Sequence, residues 1–140
     1  MGHPLLSAAL RQRRWLVVVL WMCCGLAWAG DLYVVANGTE LSATDIRELY
    51  LGEKEFSGHL RLVPVDNQSA QEAFLARVLA MNGERYTSLW VRKSFREGLN
   101  PPLVMTTDRE VMSFVRQTPG AVGYVSSLPH DREIHVVGKF

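Results

Sequence analysis

The chain has 140 residues, with 15 Lys+Arg against 14 Asp+Glu, four His, two Cys and 48% hydrophobic residues. That length accommodates one domain. The near-balanced charge excludes a strongly basic nucleic-acid binder and an acidic disordered tail.

The N-terminal segment differs in kind from the rest of the chain. Residues 1–14 carry Arg11, Arg13 and Arg14 and no acid, and the apolar run Trp15–Gly25 comes directly after them. Ala27-Trp28-Ala29 then sets small residues around a Trp, just before Gly30-Asp31. A basic head, a short apolar middle and an A-x-A exit predict a secretory signal peptide over residues 1–29, cleaved after Ala29. The 15 residues from Trp15 to Ala29 fall short of the ~20 that span a bilayer. Arg13-Arg14 is a weak signal for twin-arginine export, since such pairs are common in ordinary leaders. Cys23 and Cys24 come after Trp21-Met22, where a lipoprotein signal needs small residues. Cleavage removes three bases and no acid, leaving 12 Lys+Arg against 14 Asp+Glu and a net charge of −2. It also removes both cysteines, so the exported, periplasmic domain has neither a disulfide framework nor a thiolate site.

In the remainder, Leu32–Ala36 is a short apolar, partly β-branched run closed by Asn37-Gly38, which predicts a buried strand and a turn. Ser42, three residues before Asp45, has capping-box spacing and opens a helix whose apolar stripe is Ile46, Leu49 and Tyr50, with Gly52 as its stop. Glu53–Gly58 reads as a charged loop, and Leu60–Val65 as a strand that Pro64 assigns to an end or an edge. Asp66-Asn67-Gln68-Ser69 forms a polar turn and helix cap. Ala70–Met81 is the next helix, stopped by Asn82-Gly83. A third helix is expected over Tyr86–Glu97, ended by Gly98 and Pro101-Pro102. After it come a strand at Leu103–Met105, a helix Asp108–Gln117 capped by Thr107, a strand Ala121–Val125 and a last strand Ile134–Val137. Strands alternating with helices imply an α/β layer fold with a largely parallel sheet.

Chemistry-bearing residues are sparse. His59, His130 and His135 lack the spacing that converges imidazoles on a metal. Ser126-Ser127 ends a strand without a nucleophile elbow, and Glu53 with Glu55 sits in a charged loop. Arg92 and Arg96, one helical turn apart, form a charged outer face that could also grip an anion. The better candidates are helix starts, where unpaired N–H groups and the helix dipole attract anions. One is the Asp66–Ala70 turn with Ser69, and the other is Thr106-Thr107 ahead of Asp108. At each, plain helix capping by Asn67, Ser69 or Thr107 is the competing role.

Several segments together resemble one family. Asp45–Gly52, with Glu53-Lys54 next, is similar to the L-x-x-I-F-L-G-K segment of the periplasmic phosphate-binding proteins of ABC transporters. Val63-Pro64-Val65-Asp66, with Phe74 and Val78-Leu79, resembles that family's next strand and helix. Trp90, Phe95 and Gly98, spaced W-x4-F-x2-G, resemble the W-x4-F-x-G pattern of its short members. Thr118–Val125 (TPGAVGYV) resembles its T-P-G-x-I-G-Y-V. The resemblance implies a single three-layer lobe of a type II periplasmic binding protein over residues 30–140, with a mixed, mostly parallel sheet flanked by helices. It also implies phosphate or another oxyanion as ligand, a role in phosphate transport or sensing, and a membrane transporter or sensor as partner. Dimerisation could complete a cleft. No enzymatic activity, cofactor, metal or nucleic-acid partner is expected.

Family members hold the oxyanion in a Gly-Ser-Gly-Thr loop, and here Asn67-Gln68-Ser69-Ala70 stands in its place. Ser69 carries over, with Gln68, Ala70, Thr106 and Thr107 as the other candidate ligand-binding residues. The lost glycines restrict backbone approach to a ligand, and the Asp66 carboxylate repels a dianion. Two roles are compatible with this: an oxyanion-binding lobe, or a non-binding lobe that docks to a membrane transporter, sensor or porin. N–H groups opening into a concavity at Asp66–Ala70 favour the first, and side chains plugging it favour the second.

Overall fold

The computed structural model describes residues 30–140; the expected leader, 1–29, lies outside the described residues. Among the described residues are seven strands and four helices, in the order β1 (Tyr33–Ala36), α1 (Ala43–Tyr50), β2 (Phe56–Ser57), β3 (Leu60–Arg61), β4 (Val63–Asn67), α2 (Gln71–Phe74), α3 (Gly83–Glu97), β5 (Leu103–Met105), α4 (Asp108–Gln117), β6 (Ala121–Val125) and β7 (His135–Lys139). A π-helical turn, Leu75–Leu79, continues α2.

Five strands form one mixed sheet in the order β5-β4-β6-β1-β7, while β2 and β3 make a separate hairpin. β4 is parallel to both β5 and β6, and β1 is antiparallel to both β6 and β7. Four strands therefore run one way and β1 alone runs against them, so the sheet is mixed with one direction dominant.

The two faces of the sheet bury different residues, because side chains alternate along a strand. Val34, Ala36, Val122 and Tyr124 face α1, α2 and α3, where they join Ile46, Tyr50, Phe74, Leu79 and Trp90. Val35, Val65, Ala121 and Val125 face α4 and pack on Val111 and Val115. Helices thus cover both faces, giving three layers.

On the α1–α3 face the aromatic centre is tight: the Phe74 and Tyr124 rings stack with centroids 4.0 Å apart, and the Tyr50 ring meets Phe74 edge-on at 4.6 Å. β4 and β6 pair over Val63–Ala121 and Pro64–Val122. Further along, the Tyr50 hydroxyl lies 2.8 Å from the Val65 carbonyl and 3.1 Å from that of Val122, sharing its one proton between the two strands.

On the other face α4 approaches the sheet most closely at Gly123, where a Cβ would stand 2.5 Å from Val111 Cγ1. Gly123→Ala is therefore expected to push α4 off the sheet and cost about 1–2 kcal/mol, as overpacking a filled core does; urea denaturation at neutral pH measures it.

The local expectations fare unevenly. Ser42 and Asp45 form the anticipated reciprocal cap. Pro64 takes the end position and not the edge: it is the second residue of an interior strand. β5 pairs only from Val65 onward, and Val63 already donates its N–H toward Gly120, so the side that Pro64 would serve carries no strand. Asn82-Gly83 stops nothing: Asn82 caps α3, accepting from the Arg85 N–H at 2.9 Å. The preceding helix ends at Ala80, in the left-handed conformation, whose N–H reaches back to the Leu75 carbonyl.

Candidate functional site

The parallel strands β4, β5 and β6 end on one side of the sheet, the place where open α/β sheets bind ligands. The turn after β4 brings Gln68, Ser69 and Ala70 there, the turn after β5 brings Thr106 and Thr107, and the end of β6 brings Ser126 and Ser127. The candidates read from two distant stretches of sequence thus share one end of the fold.

Their donors point inward. The Gln68 N–H donates to the Met105 carbonyl at 2.8 Å, and the Ala70 N–H to the Asn67 carbonyl at 3.0 Å. The Ser69 N–H and hydroxyl both donate to Asn67 Oδ1, at 3.1 and 2.6 Å. The Thr106 N–H donates to the Glu110 carboxylate at 2.8 Å, and Thr107 Oγ1 caps α4 by accepting from the Glu110 N–H. The backbone N–H groups of Gln68, Ser69, Ala70 and Thr106 are thus all engaged within the chain.

At the centre of this cluster are two residues outside the expected ligand-binding set: Asn67, read as a helix cap, and Asp108. Asn67 is fully buried, and its amide donates to the Asp108 carboxylate at 2.7 Å and to the Tyr124 carbonyl at 2.9 Å. Asp108 also accepts from the Ser126 N–H at 3.1 Å, the Ser126 hydroxyl at 2.7 Å and the Ser127 hydroxyl at 3.4 Å. Partial burial raises its pKa, but the hydrogen bonds from Ser126, Asn67 and Ser127 outweigh it and leave the group more acidic than usual. A carboxylate at the first turn of α4 is also favoured by the helix dipole. Asp108 is therefore the point on which donors from Asn67 at the end of β4 and from Ser126 and Ser127 after β6 converge. A sequence signal existed in Asp at a helix N-terminus, but the serines that complete the ring lie 18 and 19 residues away.

On the opposite face of β4 is a second carboxylate. Asp66 is 2% exposed and accepts from the Tyr86 hydroxyl at 2.8 Å and the Tyr124 hydroxyl at 2.9 Å. No ion pair among the described residues engages Asp66, Asp108 or Glu110. Burial raises the Asp66 pKa to about 6, with the two phenols pulling only part of the way back. Burial and the facing carboxylate also raise both phenols. An incoming oxyanion would meet the Asp108 carboxylate at this end of the sheet, with the amides of Gln68, Ser69, Ala70 and Thr106 already bonded.

The remaining candidates are not brought together. Among the described residues no cluster of three His, Cys, Asp or Glu could hold a metal. Ser126 meets a carboxylate of lowered pKa and no histidine among its hydrogen bonds, so nothing activates it as a nucleophile. Arg92 and Arg96 lie on the exposed side of α3, apart from this cluster's hydrogen bonds.

A protein from Clostridium perfringens, described as a phosphate ABC transporter substrate-binding protein and solved with bound phosphate, superposes with a TM-score of 0.59 at 16% identity, over 77% of this chain and 45% of that one. The fold is that of one lobe of a phosphate-binding protein. An ABC-type phosphate transport receptor from Vibrio cholerae gives a TM-score of 0.47 at 17% identity, over 77% of this chain and 46% of its own. The chain spans less than half the length of either structure. No family model matches the chain, nor does any curated protein. In this chain the strand ends that carry the expected oxyanion residues are tied to one another by Asn67 and Asp108.

Proposed function

We propose that this chain is exported to the periplasm and acts by docking to another protein, with its oxyanion edge closed by its own carboxylate. The observation that carries this reading is the Asp108 carboxylate among the Asn67, Ser126 and Ser127 donors, beside amides of Gln68, Ser69, Ala70 and Thr106 that are already bonded. A lobe that grips a free dianion needs donors left open toward solvent and little competing negative charge. Here the N–H groups of Gln68, Ser69, Ala70 and Thr106 are bonded internally, and Asp108 and Glu110 supply the charge. The likeness to phosphate-binding lobes supports the frame, and the basic, apolar, A-x-A leader supports export.

Isothermal titration of the chain with phosphate and with sulfate is expected to show no saturable binding. Micromolar affinity for either would overturn the closed-edge reading and restore an oxyanion-binding role. The export part is checked on the protein recovered from the periplasmic fraction, whose mass is expected to begin at Gly30.

A further inference from the structure

Docking needs a surface that gains from being covered, and α3 carries two features that an isolated domain gains nothing from. Phe95 is 91% exposed and Val91 56% exposed; one turn apart, they share a face of the helix. Burying a Phe side chain is worth about 1.5–3 kcal/mol, so a Phe left almost wholly in water is a poor use of that residue in the free protein. Beside this row run Arg92 and Arg96, also exposed and one turn apart. Like charges at that spacing destabilise a helix by a few tenths of a kcal/mol. Neither arginine takes part in an ion pair among the described residues; the nearby Glu97 pairs with Lys93 at 3.9 Å.

We infer that this face of α3 is the docking surface, and that it seats Val91 and Phe95 in an apolar pocket of a partner protein whose rim carries carboxylates opposite Arg92 and Arg96. The inference rests on the docking role proposed for the chain. Aromatic anchors and arginines dominate the binding energy of protein interfaces. A basic face on a domain of net charge −2 (12 Lys+Arg against 14 Asp+Glu over residues 30–140) also sets the orientation of approach.

Charge argues against two other occupants. A two-fold dimer through this face would bring four arginines together, with the two Glu97 side chains of that helix end already paired with Lys93. An anionic membrane offers about 1 kcal/mol per basic residue near its surface, and two arginines with one inserted Phe fall below the two strong signals that stable anchoring takes.

The test places a photo-crosslinking benzoylphenylalanine at position 91 of the full chain, expressed in its native cells, and identifies the joined peptide by mass spectrometry. The expected result is one protein adduct whose crosslinked segment is acidic. Its yield is expected to fall about tenfold, the equivalent of 1.4 kcal/mol, in Phe95→Ala and again in the Arg92→Glu, Arg96→Glu double variant. All three changes are on an exposed face, and circular dichroism verifies that the variants fold. An adduct to the chain itself, to lipid or to a segment without acids would overturn the inference, as would no adduct or a yield indifferent to both variants. Phosphate affinity is read separately: tight phosphate binding with the crosslink intact sinks only the closed edge, and silence in both experiments sinks only the α3 surface.

Discussion

Asp66→Asn is expected to stabilise the protein by up to about 3 kcal/mol near pH 8 and to leave it almost unchanged near pH 4. Asp66 has no cation beside it; what faces it are the hydroxyls of Tyr86 from α3 and Tyr124 from β6, with Tyr50 of α1 in the same aromatic group. Its pKa rises from the usual 3.8 to about 6 on folding. A carboxyl with a raised folded-state pKa gives its full support below the unfolded value, where it is protonated in both states. That support is lost as pH rises through the folded value, because the unfolded chain ionises first. At about 1.4 kcal/mol per pH unit, the window from 3.8 to about 6 corresponds to about 3 kcal/mol. Asn copies the protonated form: it keeps an oxygen for one phenol and carries no charge. Urea denaturation of both proteins at pH 4 to 8 checks the sign. The curves are expected to coincide at the acid end and to separate between pH ~4 and ~6, and a constant offset across the range would refute the assignment. Asp45 and Asp131, each held more acidic by its hydrogen bonds, act in the opposite sense and lose their support as pH falls below the normal carboxylate range.

That buried carboxylate also marks where sequence reading stops. Local devices were legible because they are local: the Ser42–Asp45 cap, the Thr107 cap on α4 and the apolar stripe of α1 each sit within a few residues. The TPGAVGYV segment supplies β6, buried along its whole length, with Gly123 against Val111. Pairing partners were not legible. Whether β1 runs with or against β6 depends on hydrogen bonds between residues nearly ninety positions apart, such as Val35 and Gly123, and no periodicity encodes direction. The break in the helix after Phe74 escaped for a related reason. Leu75, Val78 and Leu79 satisfy an ordinary apolar stripe, yet they are buried in a π-helical turn that ends at Ala80, ahead of the Asn-Gly pair that looked like a stop.

The candidate site divides along the same line. Helix starts announce themselves through capping residues, so Thr107 could be found; the cap expected at Ser69 is absent, since Ala70 is the N-cap there and the Ser69 hydroxyl donates to Asn67 Oδ1. Whether a helix start is open or filled depends on which side chains fold over it. Asp108 reads as a favourable acid in a first turn, and only the fold brings Ser126, Ser127 and Asn67 around it. Asp66 was visible as a charge hostile to a dianion, but its burial between two tyrosines came from α3 and β6 and not from its neighbours in sequence.

Asp108→Ala is expected to do two things at once. It removes the acceptor shared by the buried Asn67 amide, the Ser126 N–H and the Ser126 hydroxyl. Leaving a buried amide one partner short costs about 1–3 kcal/mol, so a loss of about 2–3 kcal/mol is expected for the network as a whole. The same change takes away negative charge and frees donors at the first turn of α4, which then resemble an open oxyanion site. Phosphate is expected to stabilise the variant and not the parent chain. At a phosphate concentration ten times its dissociation constant the recovery is about 1.4 kcal/mol, since a ligand that binds only the folded state adds RT ln(1 + [L]/Kd). Urea denaturation of both proteins with and without phosphate, at fixed ionic strength, separates the two effects. Equal stabilisation of parent and variant would mean that Asp108 does not hold the ligand's place. A variant that is weakened but indifferent to phosphate would mean that the carboxylate is structural, with no site beneath it. Selective recovery of the Ala variant would mean that the fold keeps an anion-binding geometry and fills it from within.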